Sequence, residues 1–79
     1  MTTEQLSNFI QAAQCLNFTD VARRSFLTQP AISRQISDLE EQLGVPLFVR
    51  AGHKLLLTDE GEVTLEEAKR ILGGLDEAA

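Results

Sequence analysis

The chain has 79 residues, a formal net charge of −5, 43 % hydrophobic and 24 % charged residues. A chain this short has room for one small domain with a thin core and none for a buried catalytic cleft beside it, and its composition excludes disorder and collagen-like repeats. Apolar runs stop at three residues, as in Leu55-Leu56-Leu57, against about 20 for a membrane span, and single Cys15 and His53 build neither a disulfide nor a Cys/His metal site; the expectation is a cytoplasmic protein without cofactor or metal.

Residues 3–14 read as a helix, because Leu6, Phe9, Ile10 and Ala13 recur at the spacing of one apolar stripe. Cys15 is expected opposite that stripe, as an inert thiol. Thr19 is the expected N-cap of a short second helix over about 20–26, with Val21, Ala22 and Phe26 as its apolar residues. Leu27 makes the turn. Thr28 then caps a third helix over 29–43, with Pro30 in the first turn, where a missing N–H costs nothing.

In that third helix Ile32, Ile36, Leu39 and Leu43 form a narrow stripe expected to face the core. Pro30, Arg34 and Ser37 point the other way, and Gln29 and Ser33 flank them near the N-terminal end. Gly44 suits the left-handed residue that closes a helix, and Pro46 prevents a restart. Residues 47–57 read as a small β-hairpin, with Leu47–Arg50 and Lys54–Leu57 flanking Ala51-Gly52-His53. Thr58 caps a last helix over about 59–76, whose acids Asp59, Glu60 and Glu62 lie near its positive end. Leu65, Ala68, Ile71, Leu72 and Leu75 make an apolar stripe there, expected to be a dimer seam rather than intrachain packing. Gly73-Gly74 is expected to weaken or end that helix, by about 1 kcal/mol per glycine.

The charge is unevenly spread. Residues 1–57 carry five cations (Arg23, Arg24, Arg34, Arg50, Lys54) and five acids, so the excess acidity belongs to residues 58–79. A neutral body can still hold a polyanion if its cations share a face. Helix, short helix, tight turn, helix, hairpin is the order of a winged helix-turn-helix, in which the helix after the turn is offered to the DNA major groove. Gln29 can pair with adenine, Arg34 can reach guanine or phosphate, and Ser33 and Ser37 suit base edges or phosphate. Arg50, His53 and Lys54 fall near the hairpin tip. An enzyme is not expected, since His53 has no nucleophilic partner at a recognisable motif and no glycine-rich phosphate loop is present. The rival expectation is a winged-helix protein-interaction module without DNA binding.

The stretches "LSNFIQAAQCLNFTDVARRSFLTQPAISRQISDLEEQLGVPLFVR" and "LLLTDEGE" resemble the N-terminal DNA-binding domain of LysR-type bacterial transcriptional regulators. Thr28-Gln29-Pro30-Ala31-Ile32-Ser33-Arg34-Gln35-Ile36 is the most specific piece, followed in register by Leu39-Glu40, Leu43-Gly44, Pro46-Leu47-Phe48 and Arg50. The resemblance implies a mainly α fold: a winged helix-turn-helix over 1–58, then a linker helix over 59–79 that pairs with its twin in a homodimer. It implies DNA contacts at Thr28, Gln29, Pro30, Ala31, Ser33 and Arg34, with the wing tip at the adjacent minor groove and an inverted-repeat operator as partner. It also implies a separate effector-binding domain, so any small-molecule inducer is expected to act only through residues outside this chain.

Overall fold

A computed structural model describes residues 2–77, with side chains described through Gly73. Its elements run α1 (Thr3–Cys15), α2 (Phe18–Ser25), α3 (Gln29–Leu43), β1 (Phe48–Ala51), β2 (Lys54–Leu57) and α4 (Asp59–Glu77). The mainly helical winged layout is therefore the one expected. Among the described residues, no helix is long and apolar enough to cross a membrane.

Local chemistry fixes the helix ends. Thr2 and Gln5 close a capping box at α1, each side chain accepting from the other residue's backbone N–H. The cap of α2 is Asn17, not Thr19: its Oδ1 accepts from the Asp20 N–H at 3.1 Å, so the helix begins at Phe18 and Thr19 falls inside its first turn. Asparagine outranks threonine as a cap, which accounts for the earlier start. Thr28 caps α3 through the Ala31 N–H at 3.2 Å, and Gly44 ends it at φ 74°. Leu16 (φ 53°) and Phe26 (φ 57°) take the same left-handed conformation without being glycine.

Phe9, Val21, Ile32, Leu39 and Leu47 are the largest fully buried side chains, one or more from each of α1, α2, α3 and the root of the hairpin. Phe48 seals one edge, packing edge-to-face on Phe9 and Phe18 with centroids 5.8 and 5.3 Å apart. Four apolar residues depart from their expected places. Leu43 is 39 % exposed at the rim of an open hollow, and Phe26 is 95 % exposed, turned outward by its left-handed backbone. Cys15 is half-buried against the core rather than opposite it. Leu47, expected to open the first strand, instead precedes it as a core plug.

A polar cluster unforeseen in the sequence ties the three helices together. Asn8 is 3 % exposed on α1; its Nδ2 donates to Gln35 Oε1 on α3 at 2.7 Å, and its Oδ1 accepts from Ser25 Oγ on α2 at 2.9 Å. Gln5 adds a bond from Nε2 to the Gln35 carbonyl at 2.8 Å. Buried amides are tolerated when each polar atom is paired, and these pairs fix how α3 leans on α1 and α2.

The hairpin pairs Phe48 with Leu57, Arg50 with Leu55 and Ala51 with Lys54. Ala51 is thus a strand residue, and the turn is Gly52-His53, with Gly52 at φ 67°. The hairpin is short enough to need anchoring. Thr58 supplies part of it: its Oγ1 donates to the Pro46 carbonyl at 2.7 Å and accepts from the Gly61 N–H at 2.9 Å, capping α4. Gly61 lies so close to the Leu47 carbonyl and the Leu57 side chain that a Cβ would collide with both. α4 continues through Gly73 and Gly74 to Glu77 rather than ending there.

Candidate nucleic-acid interface

The outer face of α3 follows from its core face. Burying Ile32, Ile36 and Leu39 leaves Pro30, Arg34 and Ser37 exposed, with Gln29, Ala31 and Ser33 half-exposed beside them. Thr28 is exposed as the cap, its hydroxyl already accepting from the Ala31 N–H. The six α3 residues and Thr28 therefore form one polar surface around the N-terminal half of the helix. No carboxylate occurs in it before Asp38.

The wing lies alongside. One hollow of about 230 Å³ is lined by Ser33 and Ser37 of α3 and by Val49, Arg50 and Leu55 of the hairpin. A second of about 220 Å³ is lined by Gln29, Arg50 and His53 together with Asn17 and Thr19. Arg50 thus lines both hollows, one with Ser33 and Ser37 and the other with Gln29, which puts the expected wing cation beside the expected reading residues. Lys54 is exposed at the turn, paired in register with Ala51, and lines neither hollow. Inside the set, Gln29 Nε2 donates to Ser33 Oγ at 2.8 Å.

Electrostatics separate this surface from the rest of the molecule. On α2, Arg23 pairs with Asp20 at 3.5 Å. On α4, Lys69 pairs with Glu66 at 3.9 Å and Arg70 with Glu67 at 3.4 Å, so that helix keeps its acidic excess. Glu40 is half-buried and engaged by backbone N–H groups at the root of the wing. Exposed i,i+3 pairs contribute little to stability, but they show which cations are already partnered. Arg34, Arg50 and Lys54 have no ion-pair partner within 4.0 Å among the described residues.

The apolar stripe of α4 divides in two. Ala68 is 1 % exposed, and Leu65 and Leu72 pack on the same core, so these three serve the chain's own interior. Ile71 is 54 % exposed, and Val63, which the stripe did not include, is 65 % exposed. With Leu6 and Leu43 they line an almost wholly apolar hollow of about 160 Å³. The side chain of Leu75 lies outside the described residues.

Comparison with known proteins agrees with this geometry. The family model for the bacterial regulatory helix-turn-helix protein, lysR family, matches residues 3–62. The Hca operon transcriptional activator HcaR of Escherichia coli strain K12 is 46 % identical over 72 residues, covering 91 % of this chain and 24 % of that protein. The probable cat1 operon transcriptional activator of Acinetobacter lwoffii is 40 % identical over 98 % of this chain and 25 % of its own length. The chain thus spans about a quarter of the length of these curated relatives. Among solved structures, the BenM DNA-binding domain in complex with catB site 1 DNA superposes with a TM-score of 0.89 at 32 % identity, covering 99 % of this chain and 87 % of that one. The CbnR DNA-binding domain–DNA complex superposes at 0.88 with 38 % identity, covering 99 % and 90 %. With the match extending over α1, α2, α3, the wing and the start of α4, the chain belongs to the lysR family of bacterial regulatory helix-turn-helix proteins.

Proposed function

We propose that this chain binds double-stranded DNA sequence-specifically, with the N-terminal half of α3 in the major groove and the hairpin at the adjacent minor groove. The observation that carries the reading is the juxtaposition of Gln29, Ser33, Ser37 and Arg50 around two hollows whose one carboxylate, Glu40, is engaged by backbone N–H groups. Such an arrangement supplies bidentate base readers and phosphate contacts together. Thr28, Pro30, Ala31 and Arg34 complete the α3 part of the contact, and His53 and Lys54 the wing part. The similarity to BenM and CbnR domains solved on DNA supports the same docking. A protein-docking module would instead be expected to present large apolar side chains between Gln29 and Ser37, and that face presents amide, hydroxyl and guanidinium groups.

The functional unit is a homodimer in which α4 of one copy covers the exposed strip of Val63, Ile71 and Leu43 on the other. An exposed apolar strip on a helix otherwise rich in acids supports this. Two-fold symmetry then requires an inverted-repeat operator, its half-sites one helical turn (about 34–36 Å) or a multiple apart. The place of action is the cytoplasm, where bacterial DNA lies. Selection from a random duplex pool at low salt tests the reading. Enrichment of an interrupted palindrome is expected, and a pool that emerges unchanged removes it.

A further inference from the structure

We propose that Ser33 is a positioning residue for base reading: it holds the Gln29 amide in the orientation that selects adenine. The proposal rests on the DNA-binding reading above and goes beyond it by assigning the two residues different jobs. Gln29 is the first residue of α3, and Ser33 stands four residues on, the spacing at which side chains on a helix meet. The bond between them, Nε2 to Oγ at 2.8 Å, joins two half-buried residues, each lining a hollow shared with Arg50 of the wing. Gln29 lines the hollow that also holds His53, and Ser33 lines the other one with Ser37.

A glutamine amide offers two N–H donors and one carbonyl acceptor. Ser33 engages one N–H. One donor and one acceptor remain, and that edge is complementary to the N7 acceptor and N6 donor of adenine in the major groove. Guanine presents two acceptors there, N7 and O6, and cannot satisfy the Gln29 carbonyl. A free glutamine could turn its amide over and rotate among many rotamers, losing both orientation and order on binding. In this arrangement the Nε2 bond to Ser33 leaves the carbonyl and one N–H of Gln29 outward, and the tether limits rotation of the amide before DNA arrives.

The test uses the 79-residue chain and the site recovered by pool selection, with one base pair varied at a time. Ser33→Ala is expected to fold normally by circular dichroism and to lower discrimination between A·T and G·C at one position by about tenfold. Any loss on a scrambled duplex is expected to be smaller than the loss on the cognate site, and Ser33→Thr, which restores the hydroxyl, is expected to recover the discrimination. In a Gln29→Ala background, removing the Ser33 hydroxyl is expected to change that discrimination no further. An equal loss on cognate and scrambled duplexes would make Ser33 a phosphate contact and overturn the proposal, as would a full additional loss in the Gln29→Ala background. A wild-type chain that selects a site while Ser33→Ala leaves its preference untouched overturns this proposal alone; a wild-type chain that selects nothing removes the DNA reading and this assignment with it.

Discussion

Glu40 Oε2 accepts hydrogen bonds from the backbone N–H of Leu47 at 2.7 Å and of Phe48 at 3.2 Å. Leu47 is held from its other side as well: its carbonyl accepts from the Thr58 N–H at 3.0 Å, and its side chain is fully buried. The last turns of α3, the root of the wing and the cap of α4 therefore meet at one residue. Because a carboxylate makes the strongest of these backbone contacts, Glu40 sets the angle at which the wing stands beside the reading face of α3.

Replacing Glu40 by alanine leaves two half-buried N–H groups without an acceptor, which destabilises by about 1–3 kcal/mol. The urea midpoint should fall with the slope unchanged. Glu40→Gln keeps one acceptor oxygen and should lose less. Wild-type stability in Glu40→Ala would show that apolar contacts alone hold the wing.

Phe26 stands in a left-handed conformation, φ 57°, with 95 % of its surface exposed. That backbone costs an L-residue other than asparagine, aspartate or glycine about 1–2 kcal/mol, and so exposed a ring recovers little of it by packing. Phe26→Asn should therefore raise stability by about 0.5–1 kcal/mol and Tm by a few degrees. A fall in Tm on calorimetry would mean that the ring packs on its neighbours in solution.

The helices, the hairpin and most of the core are legible in the sequence because periodic burial and caps act locally. Ile32, Ile36 and Leu39 repeat at helical spacing and are buried as expected. Leu43 obeys the same period, but it borders the open apolar hollow beside Val63 and Ile71 and stays 39 % exposed. The Asn8–Gln35–Ser25 cluster was invisible because its partners are 27 and 17 residues from Asn8, and each residue alone reads as an ordinary polar surface group. Glu40 looks in the sequence like any exposed helix acid; its anchoring role depends on where the chain returns after Gly44. Of the candidate site, residue types and helix face were legible. The meeting of Gln29 with Arg50 and His53 was not, since it depends on how the wing folds back.

The division of α4 gives a clean pair of substitutions. Val63→Glu with Ile71→Glu places charge only on exposed positions, so the fold should persist while the dimer dissociates in sedimentation equilibrium. Ala68→Glu should unfold the chain instead, because Ala68 is 1 % exposed and a carboxylate there has no space or partner. A dimer that survives the double substitution would place its seam away from Val63 and Ile71.

The cations separate into two groups that a salt titration can tell apart. Each phosphate neutralised adds about −0.9 to the slope of log K against log salt concentration on B-form DNA. Lys54 and Arg50 have no acidic partner within 4.0 Å among the described residues, whereas Lys69 is already beside Glu66 on the acidic helix. Lys54→Ala and Arg50→Ala should each flatten the slope by about one unit, weakening cognate and scrambled duplexes alike. Lys69→Ala should leave both slope and affinity where they were. If Lys69 flattened the slope and Lys54 did not, the duplex would lie along α4, and the wing would have no part in binding.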